Sequence, residues 1–227
     1  MLAMITLHYH PSNASFAPHI LLQELGVPFA LQRVDRDQGE HKSPAYLALN
    51  PNGLIPVLVD GDLVLYEAAA ICLHLADTHP AAGLAPALAT PARAHLYKWL
   101  MWMTNTLQAT LIHCFYGHRL VDSGNAEGAR QVRAHAQLRA VQCLQQLDAH
   151  LAGHAVPVEE QARGPWMMGA TYTLLDPYAL MLCRWTRGFD ASPARSFAHL
   201  APYLQRVLAR PAVQRVLVTE QLAEPLV

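Results

Sequence analysis

The hydrophobic pattern of this chain changes character once, between residues 81 and 91, and that change most restricts the folds open to it. Upstream, short strand-like runs alternate with stretches of helical period. Residues 5–9 read as a strand, 11–15 as a turn, and 16–25 as a helix closed by Gly26. Residues 29–34 follow as a second strand, and 43–49 as a short helix that tolerates Pro44 in its first turn. Residues 57–59 and 63–65 flank Asp60-Gly61, a strong hairpin signal. Residues 67–78 are then helical, with Ala68, Ile71 and Leu75 on one face. The order β-α-β-α-β-β-α predicts an α/β domain over residues 1–81 with a mixed sheet.

Past a Pro/Ala/Gly-rich linker, strand signals all but vanish. Thr90 and Pro91 are expected as N-cap and first residue of a long helix. Its apolar positions Leu96, Trp99, Leu100, Met103, Leu107, Leu111 and Phe115 step by three and four. A second helix is expected over about 127–151, carried by Leu138, Val141, Leu144, Leu147 and Leu151 and stopped at Gly153. A third opens at the capping box Thr173-Leu174-Leu175-Asp176, and helical pieces continue from about 197. Residues 90–227 therefore read as an all-helical domain, with no internal repeat.

Charge narrows the function. The 227 residues carry 16 Lys+Arg against 17 Asp+Glu, a formal charge of −1, which argues against a nucleic-acid binder that must displace counterions. No apolar run reaches the ~18 residues a membrane span needs, and the N-terminal stretch lacks the features of a signal peptide. The four cysteines, Cys72, Cys114, Cys143 and Cys183, form no C-x-x-C pair. Reduced, mostly buried thiols in a cytosolic protein are expected rather than disulfides or a zinc site. His8 and His10 share a strand face, but no third ligand stands at sensible spacing, so no metal is expected.

Two segments carry chemistry. The turn Pro11-Ser12-Asn13-Ala14-Ser15 leads into the first helix, where free N–H groups and the dipole favour an anion. A free thiol of pKa ~8.5 is only about 3% thiolate at pH 7, and a downward shift of roughly two units, about 2.7 kcal/mol, makes about three quarters of it thiolate. Ser15 either caps this helix or gives such a thiol its hydrogen bond. The second segment, Asn50-Pro51-Asn52-Gly53-Leu54-Ile55-Pro56-Val57, runs into a strand and makes Pro56 a candidate cis residue. Such a bend leaves the Ile55 backbone free to dock an extended, peptide-like ligand. Glu67, opening a helix after the hairpin, either complements the helix dipole or meets a ligand ammonium.

Taken together, these motifs resemble the glutathione transferase family over essentially the whole chain. The matching residues are Tyr9-x-Pro11…Ser15-x-x-Pro18-His19-Ile20, Asn50-Pro51-x-Gly53-x-Ile55-Pro56-Val57-Leu58, and Leu65-Tyr66-Glu67-Ala68-x-Ala70-Ile71. A later match is Trp166-x-x-Gly169-x-x-Tyr172-Thr173-x-x-Asp176. The bacterial beta class looks most similar. The resemblance implies a thioredoxin-like N-terminal domain with a mixed four-stranded sheet, then an all-α helical bundle. It implies glutathione as co-substrate, without a further cofactor. Ile55, before cis-Pro56, would pair with the cysteinyl unit, Glu67 and the Ala68 N–H would hold the γ-glutamyl end, and His41 or Lys42 would meet the glycyl carboxylate.

This sequence also departs from the beta class. The cysteine usual in the turn is Ala14, so Ser15 with Asn13 is left to activate the glutathione thiol. The serine usual after the γ-glutamyl-binding Glu is Ala68, and the Asn and His of the long helix become Met101 and Gln108. His113 and Tyr116, late on that helix, are candidates for an electrophile pocket, while Trp102 and Leu107 are candidates for a dimer contact. The expected protein is a cytoplasmic homodimeric transferase acting on small hydrophobic electrophiles. The alternatives are a glutathione or apolar-ligand binding protein without turnover, and a glutathione-dependent β-etherase or dehalogenase.

Overall fold

The computed structural model describes residues 4–153 and 164–227; the first three residues of the N-terminal stretch read for a leader lie outside them. The chain divides into two compact units, one comprising residues up to Ala85 with Leu208–Ala223, the other Pro86–Val207 with Glu224–Val227. The boundary falls inside the expected linker. The return of residues 208–223 to the first unit departs from the expectation that everything past residue 90 forms one domain.

In the first unit, β1 (Ile5–Tyr9), α1 (Phe16–Leu25), β2 (Phe29–Arg33), α2 (Pro44–Leu49), β3 (Val57–Asp60), β4 (Leu63–Tyr66) and α3 (Ala68–Thr78) follow the expected order. The sheet runs β2-β1-β3-β4, with β1 parallel to β2 and the other neighbours antiparallel. This is the thioredoxin-like mixed sheet. One core holds Val34, Tyr46, Ile55 and Val57. Helix α1 packs on α3 and on α9 (Pro211–Thr219), and its residues 16–22 are all buried. Ala212, Val213, Val216 and Leu217 of α9 are buried at helical spacing, so an amphipathic stripe explains its docking.

The second unit begins with α4 (Pro91–Trp102), where the Thr90 hydroxyl accepts from the Arg93 N–H as expected of a cap. The long helix does not continue uniformly. Residues Met103–Gln108 form a π-helical segment before α5 (Ala109–Tyr116). It is followed by α6 (Ala126–Leu151), α7 (Leu175–Trp185) and α8 (Leu200–Leu208). Two expected core residues lie outside: Leu138 is 66% exposed and Phe115 44%. On α6 the expected Leu144 and Leu147 are buried, and Ala136, Ala140 and Cys143 complete the stripe. Leu107, read as a dimer contact, is fully buried in the core, and Trp102 is half-buried with its ring edge-on to Trp99. All four cysteines are buried, and burial pushes the Cys114 thiol up to about 11 and that of Cys183 to about 12.

Candidate functional site

The turn between β1 and α1 is built around His10. Its carbonyl accepts from the Asn13 N–H at 3.2 Å and from the Ser15 hydroxyl at 3.0 Å. Its own N–H donates back to Ser15 Oγ at 3.3 Å. Ser15 is therefore fully buried inside the turn, its proton committed to His10. The expected cap is absent in detail: Ser15 has helical angles and its side chain makes no capping bond. Asn13 is half-buried, and its Oδ1 accepts from the Ala14 N–H at 2.6 Å. Ala14 is buried beside it.

Behind the turn lies a group that the sequence did not announce. Glu220, just past α9, accepts from the Ser12 N–H through Oε2 and from His19 Nδ1 through Oε1, both at 2.9 Å. The side chains of His19 and Glu220 are fully buried. A carboxylate only accepts, so His19 carries its proton on Nδ1. The other ring nitrogen, Nε2, is buried without a partner, and the ring stands edge-on to Tyr9 and Phe29. Ser12 holds a left-handed φ of 60°, and the bond from Glu220 fixes its N–H there.

The second expected segment folds around Asn50. Its Nδ2 donates to the Leu54 carbonyl at 2.8 Å, and its Oδ1 accepts from the Asn52 N–H. Tyr46 donates its hydroxyl to the same Leu54 carbonyl at 2.9 Å. The Ile55–Pro56 peptide is cis, as the sequence suggested. Among the described residues no hydrogen bond uses the Ile55 backbone, which leaves both its groups available. The β1–β3 ladder ends at the pair His8–Val57, directly after the cis bend.

Lys42 and His41 close a 3-10 turn, Glu40–Lys42, beside this loop, and Lys42 Nζ donates to the Asn52 carbonyl at 3.1 Å. Desolvation, then Lys42, Arg36 and His10, hold the His41 pKa below its usual value, so Lys42 is the cation of the pair at neutral pH. Gly53 makes the approach possible. Its φ is +59°, and a Cβ there would lie 2.7 Å from Lys42 Nζ and 2.8 Å from the His41 carbonyl. Gly53→Ala is accordingly expected to cost about 1–2 kcal/mol, seen as a lowered melting midpoint. An unchanged midpoint would contradict this packing.

Glu67 is exposed and adopts φ 72°, ψ 111°, an uncommon conformation for a non-glycine residue, directly before α3. Ala68 behind it is buried, and as the first residue of α3 its N–H has no partner within the helix.

The two electrophile-pocket candidates do not share a cavity. His113 lines a groove of about 540 Å³ between α5 and α6, with Gln131, His135 and Arg139 also along it. Tyr116 lies outside that lining, under the Arg119 guanidinium at 4.0 Å. Gln108 accepts the Tyr178 hydroxyl at 2.6 Å, and Met101 is 43% exposed. His8 faces the Tyr46 ring rather than pairing with His10, whose Nδ1 lies 3.0 Å from the Val34 carbonyl.

A cis-proline loop with Lys42 against it, a hydrogen-bonded turn leading into α1 and a strained Glu67 before α3 invite comparison with known proteins. The description "Glutathione S-transferase, N-terminal domain" fits residues 3–77. Glutathione S-transferase GST-4.5 of Xanthomonas campestris is 32% identical over 218 residues, 95% of this chain and 98% of its own length. The chain belongs to the glutathione S-transferase family. Glutathione S-transferase 3 of Zea mays is likewise 32% identical, over 90% of this chain and 89% of its own. Among solved family structures, a glutathione transferase homolog from Sulfitobacter with bound glutathione superimposes with a TM-score of 0.84. It is 27% identical, over 98% of this chain and all of that one. A sphingomonad glutathione S-transferase complexed with glutathione gives 0.78 at 28% identity, over 96% of this chain and all of that one.

Proposed function

We propose that this family member binds glutathione on its first unit and directs the glutathione sulfur at small hydrophobic electrophiles. The observation that carries the reading is the open backbone of Ile55 before cis-Pro56, joined by the β1–β3 ladder to the N-terminus of α1. In this reading the cysteinyl unit pairs with the Ile55 backbone, which leaves its sulfur toward the N-terminal end of α1, where the helix dipole favours negative charge. Glu67 and the Ala68 N–H take the γ-glutamyl end. Lys42, with His41 neutral beside it, meets the glycyl carboxylate. Asn13 and Ser15 act through the turn they hold, since both side chains are engaged with its backbone. The chemistry required of the protein is ionisation and positioning of one thiol.

Lys42→Ala is expected to raise the KM for glutathione about tenfold with little change in kcat, as removal of a charge-assisted contact made equally in ground and transition states does. Because Lys42 is exposed, the effect shrinks at high salt. The reading as a whole is tested by glutathione-dependent melting shifts and by turnover with a panel of aryl halides, alkyl halides and β-aryl ethers. Ether or halide cleavage would place the chain among β-etherases or dehalogenases. Ser15's inward hydroxyl favours one competing reading, a binding protein without turnover. A melting shift that grows as RT ln(1+[L]/Kd), with no turnover on any electrophile, would establish that alternative.

The protein is further read as a cytoplasmic homodimer. Four buried reduced thiols support the compartment. Among the described residues no helix is long and apolar enough to cross a membrane. The exposed Tyr97, Met101, Ile112 and Phe115 support self-association. Sedimentation at micromolar concentration tests the dimer, which a monomer's mass would refute.

A further inference from the structure

We propose that His10 is the base that takes the thiol proton of bound glutathione, through its Nε2. The proposal rests on the reading of the first unit as a glutathione site and adds to it the group that receives the proton.

Ordinary chemistry of the turn leads to His10. Sulfur becomes nucleophilic only after its S–H proton has gone elsewhere, and Ser12, Asn13, Ala14 and Ser15 offer no basic atom near neutral pH. Ser15 is further removed, because its hydroxyl is buried and bonded to the His10 carbonyl. Two histidines adjoin the turn. His19 is fully buried, with Nδ1 on Glu220 and Nε2 enclosed between aromatic rings. His10 differs on each count. Its Nδ1 lies 3.0 Å from the Val34 carbonyl, which can only accept, so Nδ1 carries the hydrogen and Nε2 the lone pair. The ring is half-buried, and its Nε2 has no protein partner and is not enclosed. The backbone around it is held at both ends by Ser15, so the ring is mounted on a rigid turn.

Position agrees with tautomer. His10 heads the turn into α1, two residues beyond the last β1–β3 pair, His8 with Val57, and Val57 follows the cis-Pro56 bend at Ile55, whose free backbone would dock the cysteinyl unit. The charged neighbours are also accounted for. His41, Lys42 and Arg36 bring positive charge to this side, and His10 itself acts on His41. Of the nearby carboxylates, Glu40 takes the Asp35 N–H, Asp35 takes the Asp37 and Gln38 N–H groups, and Glu220 is held behind the turn. The positive charge of Lys42 on this side favours the thiolate that results.

The step balances simply. The S–H bond breaks, its proton passes to Nε2, and the electron pair stays on sulfur. The thiolate then forms the S–C bond as the electrophile's leaving group departs with its own bonding pair. The imidazolium afterwards returns its proton to the leaving group or to water.

Two substitutions separate the base from its anchor. His10→Asn keeps a donor where Nδ1 lies, facing Val34, and removes the basic nitrogen; His10→Gln puts a non-basic amide where Nε2 lies. Both are expected to lower kcat/KM for glutathione conjugation with an activated aryl chloride about a hundredfold at pH 7, while the glutathione Kd from melting shifts moves less than threefold. The variants should gain about a decade in rate per pH unit up to the ionisation of the thiol itself, at pH ~8.5, a slope that the wild type should lack. The ultraviolet band of the bound thiolate gives a second readout that needs no turnover. It should be present in the wild type and nearly absent from both variants at pH 7. An equal band and rates within threefold overturn the role of His10, and so does a loss of glutathione affinity that accounts for the loss of rate. No turnover in the wild type, with the thiolate band intact and sensitive to His10, sinks the transferase reading but upholds the base. No glutathione-induced melting shift in the wild type overturns both.

Discussion

Glu220→Ala is expected to destabilise the first unit by about 3–5 kcal/mol, because it leaves the buried His19 ring and the Ser12 N–H facing an apolar gap. For a chain of this size that corresponds to a fall in melting midpoint on the order of 10 °C. Glutathione conjugation should fall too at temperatures where the fold persists, since the Ser12 end of the turn loses its tether. Glu220→Gln separates shape from charge. Its amide oxygen still accepts one N–H, so a smaller cost, about 1–2 kcal/mol, is expected. Equal losses in the two variants would mean that cavity formation, rather than the lost acceptor, dominates.

Asp176→Ala is the corresponding change in the second unit, again with about 3–5 kcal/mol at stake. Asp176 is fully buried and accepts from the Met167 N–H at 2.9 Å, the Thr173 N–H at 2.7 Å and the Tyr203 hydroxyl at 2.9 Å. Alanine orphans two buried backbone donors and a hydroxyl at once. Denaturant unfolding should show a lower midpoint with little change in slope. Tyr203→Phe removes only one partner and should cost about 1 kcal/mol. A Tyr203→Phe variant as damaged as Asp176→Ala would show that the two backbone bonds matter little.

The capping box at 173–176 shows how far local reading reaches. Thr173 and Asp176 were expected to exchange hydrogen bonds within one turn. The carboxylate does reach the Thr173 N–H, and the Thr173 hydroxyl takes the Leu175 N–H, though at 3.4 Å. What no local pattern announces is the Tyr203 hydroxyl, 27 residues on. Glu220 is the stronger case, since its partners lie 201 and 208 residues away. His19 stood inside the motif that carried the family resemblance, yet spacing could not assign it a partner. The order of elements, the Ile55–Pro56 bend and the helix ends at Gly26 and Thr90 were legible because neighbouring residues dictate them. Ser15 was legible as belonging to the turn but not as turned inward. Whether a hydroxyl faces a ligand or its own backbone is decided by angles that residue identity leaves open. Leu138 and Phe115 were misplaced for a related reason: the helical period gives the spacing of a buried stripe, and tertiary packing chooses which stripe it is.

The return of residues 208–223 to the first unit also sets an order of events. A ribosome adding about 5–20 residues per second finishes the strands of that unit long before Glu220 exists. Throughout that interval His19 and the Ser12 N–H have no carboxylate to meet, and the turn between β1 and α1 waits in a provisional form. Synthesis therefore places maturation of the β1–α1 turn among its last events, behind the whole helical unit.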